Sequence, residues 1–370
     1  MSRILIAILV TLSIKVYAQE KIILEESHVD KRVELLSIVF RLAERPEYST
    51  KVFTLYTDRI ERHFKKYNNH ELIQFTKSII NERKIGYDAV AWMSIYLDDN
   101  LNLLSNINGD VWQRDPRWTK EIVEKFIPLL QQFAKDTGFD DFFNENASLY
   151  DEAVKCFAPM NEPLDLDWYF AFYGKEPSET FSIIIGIGNG MNNYGPSLDY
   201  TNGSRKVYSV MGVGQVDSIG MPVFVYNALA PLVIIHEFNH SFVNSLINKN
   251  KEALRESGEK MFSVIKDVLA NQAYGTWEIM MCEALVRAAV IKYIQDSDYY
   301  QQLQQMIGSD FHIKEFMINM EKENGFFWIE ELIAELESYD RQRDKYPTLE
   351  SYMPKLIEAY KIWAEKMPNA

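Results

Sequence analysis

The run HEFNH at residues 236–240 places two of the chain's six histidines four residues apart, with a glutamate directly after the first. In an α-helix, residues i and i+4 lie one turn apart on nearly the same face, so His236 and His240 can bind one Zn²⁺ ion together. Glu237 is suited to take a proton from a zinc-bound water, whose pKa the metal lowers towards about 7. The spacing therefore predicts two metal ligands and a general base on one helical turn.

The residues that flank this motif are apolar. Leu, Val, Ile and Ile precede His236, and Phe242 follows the second histidine closely. A charged glutamate is costly to bury in such surroundings unless something compensates it. A bound metal supplies that compensation for all three side chains at once. The alternative is a buried histidine pair and glutamate, each satisfied by its own hydrogen-bond partner.

Catalytic zinc takes three protein ligands and keeps one position open, so a third ligand has to come from elsewhere in the chain. Four histidines remain, and we interpret them as surface residues because their sequence contexts are polar or amphipathic: His28, His63, His70 and His312. The segment TWEIMMCEALVRAAVIKYI (276–294) offers two glutamates instead. Glu278 falls in the first turn after a Thr276 N-cap, where the helix dipole favours an acidic side chain.

Glu283 has no such local explanation, because it lies in mid-helix on a stripe that is otherwise apolar except for Arg287. We therefore predict Glu283 as the third metal ligand and keep Glu278 as the alternative. Arg287, four residues further on, is expected to orient the ligand carboxylate from the second coordination shell. A donor to the developing oxyanion is also expected, with Tyr274 as the first candidate and Tyr194 as the second.

The motif, followed by a glutamate on the second helix downstream, resembles the gluzincin branch of zinc metallopeptidases. That resemblance implies strands leading into the HExxH helix and a zinc site completed by Glu283. Many gluzincins carry an aspartate four residues after the third ligand, whereas this chain has Arg287. The strings HEFNHSF, YGTWEIMMCEALVRA, FYGKEP and NNYGP also resemble an uncharacterised secreted bacterial family, catalogued as a domain of unknown function. This second resemblance covers most of the chain.

The elements that position these residues can be traced from hydrophobic periodicity. From about residue 29 to 157, apolar residues recur at three- and four-residue spacing, which predicts helices. Two β-branched, glycine-bounded runs at 180–190 and 205–214 predict strands, and the Asn- and Gly-rich segment between them predicts a loop or an elaborated hairpin turn. Helices resume at about residue 227. The 180–190 strand is either a buried core strand or an edge strand that pairs with a peptide.

The predicted fold class is therefore α+β and predominantly α-helical. A zincin-like catalytic unit is expected, with a small β-sheet preceding the HExxH helix. We predict an N-terminal helical region at 19–150, a catalytic region at 151–300 and a C-terminal helical region at 301–370. No linker marks a boundary, so all three can equally belong to one domain.

The bulk composition narrows the class of protein. Residues 1–18 combine Arg3, an apolar run and small residues before a cleavage point, which predicts a signal peptide and a secreted protein, periplasmic or extracellular. No later segment is apolar enough to span a membrane. The net charge of −14 argues against a nucleic-acid partner. The only cysteines, Cys156 and Cys282, can pair in an oxidising compartment but do not make a disulfide framework.

Taken together, the residues predict a secreted zinc metallohydrolase that acts on a peptide or protein substrate. Glu237 serves as general base, and one Zn²⁺ per chain is held by His236, His240 and Glu283. One alternative is a catalytically inactive protein of zincin fold that binds a partner. Another is a non-enzymatic helical binding module with an accidental motif, and a third is a zinc amidase acting on non-peptide substrates. The oligomeric state stays open.

Overall fold

The structure is a computed structural model that describes residues 23–174, 179–270, 274–308 and 310–367. The predicted signal peptide, 1–18, lies outside the described residues. The helices are α1 (Lys31–Leu42), α2 (Thr54–Phe64), α3 (Glu71–Arg83), α4 (Asp88–Ile95), α5 (Val111–Arg114), α6 (Lys120–Thr137), α7 (Phe139–Glu145), α8 (Ala147–Phe157), α9 (Asp167–Tyr173), α10 (Leu232–Lys249), α11 (Lys251–Ala270), α12 (Trp277–Asp296), α13 (Tyr299–Ile307), α14 (Ile313–Glu323), α15 (Ile329–Arg341) and α16 (Leu349–Lys366). The strands are β1 (Ile23–Leu24), β2 (Glu179–Ile185), β3 (Ser197–Asp199) and β4 (Arg205–Met211).

These elements confirm the α+β, predominantly helical class. The described strands form one sheet in the order β1-β2-β4-β3, in which β1, β2 and β4 run parallel and β3 runs antiparallel to β4. The hairpin interpretation of the segment between β2 and β4 is wrong, because parallel neighbours need a connection that returns along the sheet. That return contains β3. The edge-strand interpretation of β2 is also wrong, since β1 and β4 cover both of its sides.

Helix α10 lies on the sheet through an aromatic face. The ring of Phe238 meets that of Phe181 on β2 with centroids 4.8 Å apart, and Phe242 stacks on Tyr173 at 4.5 Å. Residues two positions apart in a helix point in nearly opposite directions. Packing Phe238 and Phe242 against the sheet and α9 therefore turns His236 and His240 towards α12.

Two tyrosines of α9 fix the buried side of the same helix. Tyr169 Oη donates to the carbonyl of Ile235 at 3.2 Å, and Tyr173 Oη donates to Asn239 Oδ1 at 2.5 Å. Asn239 Nδ2 in turn donates to the Ile235 carbonyl at 2.8 Å. Asn239 is completely buried, so these bonds satisfy an amide that would otherwise cost free energy to bury. These bonds fix the rotation of α10 about its own axis at the turn that contains the HEFNH motif.

Buried apolar residues from Val33 to Ala364 form one continuous core. Packing crosses both predicted region boundaries, because β1 contacts β2, α4 contacts β3, and α12 contacts α14 and α15. The boundaries at 150 and 300 stay predictions. Both cysteines are free thiols. Within the part of the chain that the structure describes, no helix has the length and apolarity needed to cross a bilayer.

Glu34 on α1 is a completely buried carboxyl group that forms no ion pair with the described residues. Its Oε1 accepts the N–H of Gly188, just after β2, at 3.2 Å, whereas Oε2 is buried without a hydrogen-bond partner. Burial raises the pKa of Glu34 from 4.5 to about 8, although the Gly188 hydrogen bond opposes the rise. The folded protein therefore keeps this group neutral at pH 7, where the unfolded chain ionises it.

A carboxyl whose pKa is raised on folding stabilises the fold fully below about pH 4.5 and loses that contribution as pH rises towards 8. We expect Glu34→Gln, which stays neutral, to become more stable than wild type across this window, by on the order of 4 kcal/mol at pH 8. Urea unfolding between pH 5 and 8 measures the difference. The exposed Glu145→Gln is the control and should show no such trend. A constant gap between wild type and Glu34→Gln would contradict the prediction.

Candidate metal centre

The structure brings together the three residues predicted as metal ligands. His236 Nε2 and His240 Nε2 lie 3.0 Å apart, and Glu283 oxygens lie 3.6 Å from the first ring nitrogen and 3.3 Å from the second. Two ligands of a tetrahedral zinc, each bound at about 2.0–2.2 Å, are separated by about 3.3–3.6 Å. The spacing and donor types, two imidazoles and a carboxylate, fit Zn²⁺.

The neighbourhood of each histidine supports this role. Asn244 Oδ1 lies 3.2 Å from His240 Nδ1, so it can accept that N–H and leave Nε2 free to face the centre. The side chains of His236 and His240 keep 22% and 15% exposure, whereas Glu283 keeps only 8%. The cluster therefore keeps contact with solvent on its histidine side.

The charges of the cluster support one another in a buried setting. Burial acts to raise the pKa of Glu283, but the charges of His240, His236 and Arg287 outweigh it and hold that pKa well below its usual range. Burial lowers the pKa of His236 to about 3. For His240 the nearby Glu283 charge prevails over burial and raises the pKa to about 9. Glu283 is thus an anion at neutral pH, ready to hold a cation.

Tyr274 and Arg287 both contact this anion. Tyr274 Oη donates to Glu283 Oε2 at 3.0 Å, and Arg287 Nη2 donates to Tyr274 Oη at 3.0 Å. Arg287 Nε lies 3.5 Å from the same Glu283 oxygen. Burial and the charge of Glu283 raise the pKa of Tyr274, so its hydroxyl keeps its proton. Tyr274 and Arg287, both predicted around Glu283, therefore lie beside it. Of the two, Tyr274 supplies an O–H donor.

Arg287 is itself held by Glu321 on α14. Its Nη1 donates to Glu321 Oε2 at 2.5 Å, and Asn324 Nδ2 donates to the same oxygen at 3.1 Å. Glu321 is only 4% exposed, so two buried carboxylates, Glu283 and Glu321, share one guanidinium. This places a residue of the C-terminal region in contact with Arg287, the residue predicted to orient the ligand carboxylate.

Glu237 is a buried carboxylate with an unusual environment. It is 7% exposed, and its side chain makes no hydrogen bond or ion pair to any described residue. Burial raises its pKa to about 7, against the lowering effect of His240. Its backbone packs against Gly195, where a Cβ atom would come within 2.0 Å of the Glu237 carbonyl oxygen. A free carboxyl with a pKa near neutrality is suited to accept and return a proton.

The remaining candidates lie elsewhere. Glu278 pairs with Lys251 at 2.8 Å in the first turn of α12 and is not part of the cluster. Tyr194 forms a backbone β-bridge with Val210 of β4. Its buried hydroxyl has no hydrogen-bond partner among the described residues. His28, interpreted from its context as a surface residue, forms a β-bridge with Ile184.

Sequence reasoning missed four positions that shape the centre. Asn244 follows His240 by four residues, so its spacing was a usable signal. No spacing signal pointed to the other three, Tyr173, Gly195 and Glu321. Each contacts the motif or Arg287 from a distant part of the chain.

The Glu321–Arg287 contact makes a prediction that does not depend on metal. Glu321→Ala leaves a buried guanidinium with less compensation, and we expect it to lower the free energy of unfolding by about 3 kcal/mol. The double variant with Arg287→Met should cost less than the sum of the single changes, with a coupling of about 1–3 kcal/mol. Chemical denaturation measures this cycle. Glu330→Ala, which removes an exposed pair with Lys322, is the control and should cost under about 0.5 kcal/mol. Additive costs would refute the network.

Comparison with known proteins places most of the chain in one family. Residues 22–359 match Domain of unknown function (DUF4932). No curated protein and no solved structure matches the chain. The predicted resemblance to an uncharacterised domain family is thus confirmed, whereas the zincin-like and gluzincin likeness rests on the site residues alone. Because the match extends over most of its length, the protein belongs to the DUF4932 family.

Proposed function

We propose that the protein is a zinc-dependent metallohydrolase, most directly a peptidase, with His236, His240 and Glu283 as the metal ligands. The observation that carries the proposal is the spacing of 3.0, 3.3 and 3.6 Å among their donor atoms, found beside a buried glutamate that makes no hydrogen bond to the described residues. Zinc in such a centre lowers the pKa of water and polarises a carbonyl group.

The chain's own groups then have separate tasks. Glu237, whose pKa lies near 7, takes the proton of the attacking water and delivers it to the leaving amine. Tyr274 holds an O–H beside the ligand carboxylate and can donate it to the developing oxyanion. Arg287 keeps both Glu283 and Tyr274 in place. These tasks together make up amide-bond hydrolysis.

A peptide substrate agrees with the net charge of −14, which disfavours nucleic acid. Secretion after cleavage near Ala18 belongs to the same proposal, and it would expose the enzyme to extracellular or periplasmic peptides. Among the described residues no membrane-spanning helix conflicts with it.

Metal content tests the proposal directly. We expect about one zinc per chain in the purified protein, and its loss in both His240→Ala and Glu283→Ala, since each removes one of three ligands. Glu278→Ala is the matched control on the same helix and should keep zinc, because Glu278 pairs with Lys251 instead. Glu237→Gln should also keep zinc but lose hydrolysis of a random peptide pool by about 10²–10⁴-fold. Mass spectrometry measures both quantities.

Each contrary result selects a different alternative. Zinc lost with Glu278→Ala and kept with Glu283→Ala would assign Glu278 as the third ligand in place of Glu283. Zinc bound without any peptide cleavage that depends on Glu237 would favour an inactive, partner-binding protein. Cleavage of non-peptide amides alone would favour a zinc amidase. A wild-type protein that takes up no zinc, even when it is added, would leave a helical binding module with an accidental motif.

A further inference from the structure

A cavity of about 320 Å³ opens beside the first turn of α10. Its wall comes from the segment before β3, the loop after β4 and the start of α10. Its lining residues are all uncharged, and most are apolar: Met160, Met191, Asn193, Met211, Gly212, Gly214, Gln215, Val223, Phe224, Tyr226, Ala230 and Val233. The volume is typical of a small-ligand site and well above the roughly 150 Å³ that suffices for benzene.

The lining defines the chemical class of the occupant. An uncharged wall gives no compensation to a buried ammonium or carboxylate, so a charged side chain would enter at a cost of several kcal/mol. Three methionines offer flexible, polarisable contacts that adapt to aromatic and branched groups alike. The cavity therefore suits one large, uncharged apolar or aromatic side chain.

The cavity lies one helical turn from the candidate metal centre along α10. Val233 lines it and lies three and four residues before His236 and Glu237, so it is one helical turn from both on the same face. Asn193 also lines the cavity and lies two residues before Gly195, which packs on the Glu237 backbone. A group seated in the cavity would thus be within one residue's reach of the general base.

The rim of the cavity is apolar and exposed. Met191 and Tyr226 keep 52% and 57% of their surface in solvent, and the neighbouring Val225 keeps 39%. Asn193 Oδ1 accepts the N–H of Gly212 at 3.0 Å, which fixes the amide and leaves its N–H groups without a partner among the described residues. Exposed apolar side chains around a pocket mark a binding surface, and a free amide donor suits a peptide carbonyl.

We propose that this cavity is the specificity subsite, which accepts a large apolar or aromatic residue of a peptide directly beside the bond that is cleaved. The proposal rests on the peptidase function argued above and assigns it a substrate class. Val223 and Met211 line the walls that set the size of that residue.

Cleavage of a random peptide pool by the zinc-loaded protein gives the first test. We expect Leu, Met and Phe to be enriched at one position next to the cleaved bond, and Asp, Glu, Lys and Arg to be depleted there. Val223→Trp fills the cavity and should lower the ratio of kcat/KM for Phe over Ala at that position at least tenfold. Ile219→Trp, at a 75% exposed site in the same loop outside the lining, is the control and should leave the ratio unchanged. A flat profile, or equal effects in both variants, would overturn the subsite.

A binding measurement separates this subsite from the peptidase function. In Glu237→Gln protein with ¹³C-labelled methionine methyl groups, N-acetyl-phenylalaninamide should shift the signals of Met160, Met191 and Met211, and N-acetyl-lysinamide should not. These shifts, together with no peptide cleavage by the zinc-loaded wild-type protein, would support the cavity as an apolar side-chain site and reject the peptidase function. Cleavage without the shifts and without an apolar preference would support the peptidase function and reject the cavity as its subsite.

Discussion

The buried negative charge of Glu283 is the constraint around which the site is arranged. A carboxylate with 8% side-chain exposure would cost several kcal/mol if it stood alone. Here two imidazoles, a phenol and a guanidinium converge on it. Arg287, the one permanent cation of this set, is itself divided between Glu283 and Glu321. Without a metal, the raised pKa of His240, about 9, lets that ring carry a positive charge that compensates Glu283, and a divalent cation beside the histidines would take over this role.

The geometry of that cluster follows from packing on the far side of one helix. Phe238 and Phe242 are held against the sheet and α9, and because they lie two residues from the histidines, the imidazoles must face α12. Tyr173 locks this rotation through Asn239. A change on the aromatic face would therefore turn the ligands without touching them. The same rotation brings Val233 to the cavity wall, so one helix positions both the proposed ligands and part of the cavity.

Local sequence patterns predicted the parts of this arrangement that depend on residues close in sequence. The i, i+4 spacing placed His236 with His240, and the helix-dipole argument separated Glu283 from Glu278. Features made by contacts between distant residues could not be read in the same way. Parallel pairing of β2 with β4 depends on how the connecting segment returns across the sheet, and its turn residues suggested a hairpin instead. The hold of Glu321 on Arg287 spans 34 residues and two helices, so no spacing rule pointed to it.

The most direct measurement is diffraction from crystals of the zinc-loaded protein on both sides of the zinc absorption edge. The account predicts one anomalous peak per chain, about 2.0–2.2 Å from His236 Nε2, His240 Nε2 and a Glu283 oxygen. The ligand distances would also exclude a sulfur ligand, which binds zinc at about 2.3 Å. A peak at any other set of residues, or no peak near these three side chains, would contradict it.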